Sequence, residues 1–408
     1  MSTGNYRFKE VSLVKRMVGT TVRGIRAPII KEGDDLVSIV VDCLIKASEA
    51  ENFNIKDNDI IGITESLVSR AQGNYATVDD IAFDINRKFS GDIAVLFPIL
   101  SRNRFATIFK GIVKSGKKIY LFLSYPSDDV GNHLLDVDKM LDAQINPYTD
   151  VLSEAEYRKI FGEKVLHPFT GIDYVELYHS LAEEGKIEIY LANDPTVALK
   201  YTKEILVANI HERFRTKKIL LNAGAEKVYT LDQILNEPIN GSGFNPDYGL
   251  LGANMATEDR LKLFPKDCDK FVHDVQKSIK DRTGKHVEVM IYGDGAFKDP
   301  VGKIWELADP VVSPGYTEGL RGTPNEIKIK YIADSEFDKL SGQNLDEAMK
   351  KRIKEKKENL IGEQDSLGTT PRRITDLLGS LCDLTSGSGD KGTPIVYIQG
   401  YFDNYATE

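Results

Sequence analysis

Near the C-terminus, Ser386-Gly387-Ser388-Gly389-Asp390-Lys391-Gly392-Thr393-Pro394 sets three glycines among two serines, an acid and a lysine. Glycines let the backbone approach a ligand without side chains in the way. Successive N–H groups in such a loop form a concave nest for an anion, usually a phosphate. Asp390 and the serine hydroxyls could hold a cation beside it. The other reading is a plain connector between the helical pattern 374–384 and the strand Ile395-Val396-Tyr397-Ile398. The stretch is not a Walker loop, because no Gly-Lys-Ser/Thr follows at the required spacing and the order is helix then strand.

A second open stretch, Gly241-Ser242-Gly243-Phe244-Asn245-Pro246-Asp247-Tyr248-Gly249-Leu250-Leu251-Gly252-Ala253-Asn254, carries a single carboxylate, Asp247, with Asn254 at its far end. One acid among amide oxygens suits Mg²⁺ or Mn²⁺ beside phosphates, and a domain-return linker is the alternative. Asp294 follows the apolar run 287–292 between Gly293 and Gly295. Lone acids at strand ends commonly bind Mg²⁺ where phosphoryl groups are transferred. Glu65 to Arg70, Ser101-Arg102-Asn103-Arg104, and Ser124 to Asp129 with His133 each follow an apolar run. Open α/β sheets place ligands at the carboxyl ends of their strands. Arginines at a helix N-terminus oppose the dipole, so Arg102 and Arg104 either face an anion or sit in surface salt bridges. No Ser-His-Asp or Cys-His pairing suggests hydrolysis by a side-chain nucleophile.

Periodicity supplies the elements behind these residues. Helices are expected at 35–49, capped by Asp34, and at 78–89, 105–114, 172–184, 196–213, 268–282 and 335–360. Buried strands are expected at 59–64, 94–100, 118–123, 187–191, 218–221, 228–231 and 287–292. Alternating strands and helices make this an α/β chain, and residues 105–240 read as a Rossmann-like or flavodoxin-like unit. It lacks Gly-x-Gly-x-x-Gly, so no dinucleotide is assigned to it.

The 408 residues suit two domains, or one with a large insertion. A hydrophobic content of 41% with 28% charged residues is that of a soluble globular protein. The net charge of −9 argues against general nucleic-acid affinity. No apolar run reaches the roughly 20 residues of a membrane helix. Three scattered cysteines and no signal-peptide core point to a reduced, cytoplasmic protein.

Three stretches, in order, resemble the coenzyme F420-0:L-glutamate ligase family. Pro28-Ile29-Ile30-Lys31-Glu32-Gly33-Asp34-Asp35-Leu36, with Asp59-Ile60-Ile61 and Val68-Ser69-Arg70-Ala71-Gln72-Gly73, is similar to the family's Pro-Leu-Ile-Lys-x-Gly-Asp-Asp-Leu, its Gly-Asp-Val-Leu-Val strand and its Ile-Val-Ser-Lys-Ala-Glu-Gly. Thr283 to Ile291 with Asp294 resembles the strand leading to an Asp-Thr metal site. The 386–394 loop lines up with Met-Gly-Gln-Ser-Asp-Glu-Gly-Ile-Pro.

The resemblance implies a GTP- or ATP-dependent amide ligase that phosphorylates a carboxylate and lets the amine of an amino acid, L-glutamate, displace the phosphate. It implies a ligase core at 1–104 and 241–408, interrupted by the 105–240 unit, and a homodimer. Arg26, Ala27, Pro28 and Ile29 would touch the nucleotide, as would Glu65, Ser66, Ser69, Arg70 and Asn254. Ser386, Gly387, Ser388, Gly389, Asp390, Lys391, Gly392 and Thr393 would wrap its phosphates. Asp247, Asp294 and Ser388 would hold Mg²⁺ or Mn²⁺, with Asp294 and Arg70 the catalytic pair. Arg70 stands where the family has Lys, Ser388 where a Gln or Glu ligates metal, and Gly293-Asp294 where it has Asp-Thr. The alternative is a nucleotide- or phosphometabolite-binding regulator without catalysis, motivated by Ser388.

Overall fold

The structure is a computed structural model that describes residues 17–168, 170–183, 185–293, 313–369, 372–386 and 390–407, and the backbone of 296–298, 305–307 and 312. In chain order the first elements are β1 (Thr21–Ile25), α1 (Leu36–Ala50), β2 (Ile60–Thr64), α2 (Glu65–Gln72), β3 (Tyr75–Thr77), α3 (Val78–Lys88), β4 (Ile93–Leu96), α4 (Phe105–Lys114) and β5 (Ile119–Leu123). Then come α5 (Val137–Asp142), β6 (Leu152–Ser153), α6 (Glu154–Phe161), α7 (Tyr174–Ser180), β7 (Ile187–Leu191), β8 (Glu204–Val207), α8 (Arg213–Asn222) and β9 (Lys227–Thr230). The chain continues through β10 (Asn254–Thr257), β11 (Arg260–Lys262), α9 (Cys268–Thr283), β12 (Glu288–Gly293), the hairpin β13 (Ala296–Lys298) and β14 (Trp305–Leu307), and β15 (Val312–Tyr316). It closes with α10 (Ile329–Ser335), α11 (Gly342–Lys354), α12 (Ile374–Ser386) and β16 (Ile395–Gln399).

A mixed five-stranded sheet, in the order β1-β16-β2-β12-β15, joins the two ends of the chain. β2 and β12 are parallel, and β16 runs antiparallel to both β2 and β1. Successive strand residues face opposite sides. Ile61, Ile63, Val289 and Ile291 therefore bury against α1 (Leu36, Val40, Leu44) and α9 (Val272, Val275, Ile279). Ile60, Met290, Tyr292 and Val396 bury against Leu378 and Cys382 of α12. Each fully buried Leu or Val in these layers contributes about 1.5–3 kcal/mol. Gly62 lets α12 come close, since a Cβ there would collide with the Cys382 sulfur.

A six-stranded sheet follows the order β6-β7-β5-β4-β8-β9. Apart from the antiparallel edge strand β6, its strands are parallel. Taken in chain order, the parallel strands lie third-second-first-fourth-fifth. That is the Rossmann order, not the flavodoxin one. Phe105, Phe109 and Ile112 of α4 cover one face, and Val197 and Leu220 cover the other. β4 starts before residue 105, so the expected 105–240 block omits the sheet's central strand.

Several local expectations are corrected. The expected helix 196–213 is instead a 3-10 turn, Pro195–Lys200, followed by β8, and the expected strand 218–221 lies within α8. Ile205-Leu206-Val207 is a short apolar run, which periodicity cannot assign, and its full burial in mid-sheet makes it a strand. Asp35, not Asp34, caps α1: its carboxylate accepts from the Ser38 N–H at 3.2 Å, while Asp34 accepts from the Lys31 N–H at 2.7 Å. Of the expected helix 335–360 only Gly342–Lys354 is helical, as α11, and the shorter α10 ends at Ser335. Among the described residues no helix is long and apolar enough to cross a membrane.

Candidate active site

The directions of four strands decide where the chemistry can be. The carboxyl ends of β1, β2 and β12 and the amino end of β16 all lie along one edge of the five-stranded sheet. That edge collects the turn after Ile25, the start of α2 at Glu65, Gly293 and the loop before Ile395. The Ala27 N–H donates to the Gly392 carbonyl at 3.2 Å, and the Thr64 N–H donates to the Pro394 carbonyl at 3.0 Å. The Thr393 hydroxyl donates to the Ser386 carbonyl at 2.9 Å, closing the C-terminal loop on itself. Gly392 takes a left-handed φ of 65°, which glycine adopts without strain.

Arg26, Pro28 and Ile29 are exposed around this contact, and Ala27 is half-buried. Arg70, one turn into α2, donates from Nε and Nη2 to the Ile30 carbonyl at 3.2 and 3.1 Å. The guanidinium fork so fixes the turn that carries residues 26–29. Ser66 is half-buried. Ser69, expected beside the nucleotide, is instead fully buried, its hydroxyl donating to the Leu263 carbonyl. Asp390, Lys391 and Gly392 are exposed and Thr393 half-buried, while Ser386 is buried. Gly387, Ser388 and Gly389 lie outside the described residues, as does Asp294.

Glu65 is the buried acid of this edge, 6% exposed. Its two oxygens accept from Lys262 Nζ at 2.8 and 2.6 Å. Gly293 packs directly on it, because a Cβ there would lie 2.8 Å from the Glu65 Cγ. β11 carries Lys262 in a small antiparallel sheet, β10-β11-β3, where Asn254 stands opposite it. Asn254 Oδ1 accepts from Asn103 Nδ2 at 3.4 Å, and the Met255 N–H donates to the Asn103 carbonyl at 2.7 Å. The turn after β4 is thereby tied to the strand beside the Glu65–Lys262 pair. Sequence reasoning missed Lys262. Its signal was the alternation of Arg260-Leu261-Lys262-Leu263-Phe264, but its partner is 197 positions away.

Asp247 is exposed. Its loop reaches the same edge through Phe264: Tyr248 meets that ring edge-on at 5.2 Å, and Phe264 also borders Gly293. Burial first, then Asp269, Asp267, Asp247 and Glu65, push the Cys268 thiol up to about 12. Both Asp247 and Glu65 thus lie within electrostatic reach of one sulfur, and Cys268 stays a neutral thiol. Of the three residues expected to hold a divalent cation, only Asp247 is described. Its exposed carboxylate is open to one, whereas both Glu65 oxygens are taken by an ammonium. Among the described residues no group of three or more His, Cys, Asp or Glu side chains could hold a metal ion.

In the six-stranded sheet the strand order reverses between β4 and β8, where open sheets take ligands. Leu250, Leu251, Gly252 and Ala253 fill that crevice against Ile99, Arg104 and Ile210, leaving a cavity of about 20 Å³, room for a water molecule. A larger cavity, about 450 Å³, opens beside His133, Asp136 and Leu166. Asp128 is spent structurally, accepting from the N–H groups of Leu100, Val130 and Asn132.

The comparisons with known proteins place the chain among enzymes that form carbon–nitrogen bonds. A family model described as F420-0:Gamma-glutamyl ligase matches residues 24–400 of the 408, and the chain belongs to that family. The match runs through both sheets, the Rossmann-ordered one included. No curated protein matches the chain.

Proposed function

We propose that this ligase is nucleotide-dependent, activating a carboxylate as an acyl phosphate and joining it to the amine of an amino acid, L-glutamate. The single observation behind this reading is the meeting of the 26–30 turn, the start of α2, the end of β12 and the C-terminal glycine loop on one sheet edge. These segments are 35 to more than 300 residues apart, and among them they carry the backbone donors, cations and acids that phosphoryl transfer needs.

In the first step a carboxylate oxygen attacks the γ-phosphorus of GTP or ATP, and the nucleoside diphosphate leaves. In the second, the neutral amine attacks the acyl carbon, inorganic phosphate leaves, and the nitrogen gives up a proton. The 26–29 turn, steadied by Arg70, borders the nucleotide, and the N–H groups of the 386–393 stretch would bind its phosphates. A divalent cation at Asp247, with Asp294 and Ser388 as further ligands, would draw charge from the phosphoryl oxygens. The ligase core comprises both ends of the chain, with the Rossmann-ordered unit inserted between them. F420-0, the substrate that the family description names, is the first carboxylate to test.

The test is phosphate release by the full chain with GTP or ATP, Mg²⁺ or Mn²⁺, L-glutamate and F420-0, alongside calorimetric titration with each nucleotide. Glutamate-dependent phosphate release is the expected result. Absence of both nucleotide binding and turnover removes the reading. Tight nucleotide binding without turnover on any carboxylate tried favours a regulator.

A further inference from the structure

The Glu65–Lys262 pair is among the most buried ion pairs of the described residues. Most of those have at least one side chain in solvent, whereas here both are 8% exposed. Burying two opposite charges costs desolvation that their attraction barely offsets, so such a pair is weak evidence of a stabilising role. Its place is not random. Glu65 is the first residue after β2, it supports Gly293 at the end of β12, and Lys262 reaches it from a separate small sheet.

A lysine ammonium has three N–H donors and no acceptor capacity. Two are used on the Glu65 oxygens at 2.8 and 2.6 Å. No acceptor for the third is found among the described residues, although the side chain is more than nine-tenths buried. The ammonium thus lies on Glu65, which follows β2 and packs on Gly293 at the end of β12, and keeps one N–H without an acceptor among the described residues. Its position on both carboxylate oxygens is the one a divalent ion would need in order to use Glu65 as a ligand.

We infer that Lys262 is a fixed cation of the ligase centre, clamped on Glu65 in the place of a divalent ion, with its remaining N–H kept for a phosphoryl oxygen of the nucleotide. This rests on the nucleotide-dependent reading above. Glu65 is then a positioning residue: it aims the ammonium and binds no metal.

The experiment counts Mn²⁺ by electron paramagnetic resonance and measures GTP affinity by calorimetry, on the full chain. Lys262→Met alone strands the Glu65 charge and can unfold the protein, so the main variant is the charge-neutral double, Glu65→Gln with Lys262→Met. The double variant is expected to bind as many Mn²⁺ ions as the parent and to bind GTP at least about tenfold more weakly. Lys262→Met, where it folds, is expected to gain one Mn²⁺ site that the double variant lacks. A double variant that loses an Mn²⁺ ion makes Glu65 a metal ligand and overturns the inference. So does one that keeps GTP affinity within twofold, which makes the pair merely structural. If the parent itself binds no GTP, the nucleotide reading fails and the inference with it. A parent that binds GTP, paired with an unaffected double variant, fails the inference alone.

Discussion

The Ala27 N–H and the Gly392 carbonyl are 3.2 Å apart, which joins the first turn of the family match to the loop that enters β16. Nothing local forces this meeting. It follows from β1 and β16 pairing antiparallel, Ile25 opposite Ile395, so that one chain leaves the sheet where the other enters. Arg70 locks the arrangement from a third segment by holding the Ile30 carbonyl. Charged hydrogen bonds of this kind are worth about 1.5–3 kcal/mol. Arg70→Ala is therefore expected to weaken GTP binding about 10- to 100-fold in calorimetry. Arg70→Lys, which cannot make the fork, should recover only part of it.

Metal dependence is expected to follow the acids of the glycine-flanked segments. Asp247→Asn and Asp294→Asn should each weaken Mn²⁺ binding at least about tenfold, since even outer-sphere changes at metal sites cost this much. Asp247 is exposed and, on that ground, its substitution should leave the melting temperature unchanged. Excess chelator should abolish phosphate release and be reversed by added Mg²⁺. Undiminished Mn²⁺ binding in both variants would sink the assignment of these acids.

Gly62 couples the central strand to the helix that leads into the C-terminal loop. An alanine Cβ there would run into the Cys382 sulfur and come within 3.4 Å of the Tyr292 ring. Overpacking of this sort typically costs about 1–3 kcal/mol. Gly62→Ala should lower stability by that amount in urea titrations. Adding Cys382→Ala should restore part of the loss, because it removes the colliding atom. Equal losses in the single and double variants would show that the helix does not ride on Gly62.

Acid sensitivity should arise in the Rossmann-ordered unit at Glu204. Burial works to raise this carboxyl, but the Ser90 hydroxyl, the N–H groups of Gly91 and Ser90, and Lys227 overcome it and hold the pKa at about 2, below the ordinary 4.5. A depressed folded pKa gives stability that is fully present above the unfolded value. It is lost as pH falls from about 4.5 toward about 2. Glu204→Gln should be less stable than the parent at neutral pH, and its melting temperature should fall less steeply through that acid window. Parallel pH profiles for the two proteins would contradict the account.

Parts of this protein were readable one segment at a time. β2 and β12 are apolar runs bounded by polar residues, and α1, α4 and α9 repeat their apolar positions at helical spacing. Strand ends were therefore legible, and so were Glu65 and Arg70 as residues that stand there. β8 was not, because three apolar residues between lysines and turns carry too little pattern to separate strand from helix. Ser69 looked available for a ligand, yet a hydroxyl one helical turn along can face the core as easily as the solvent. Here the Leu263 carbonyl takes it.

Composition and periodicity by themselves determined an α/β chain, and the ordered motifs determined the family. These properties depend on residues close together in the chain, or on their order along it. Only the tertiary structure decided that Glu65 would meet Lys262, that Ala27 would meet Gly392, and that Leu250 to Ala253 would fill the crevice of the second sheet. Each of these pairings depends on strand order and direction, which are set by the packing of whole layers and leave no mark on any single segment.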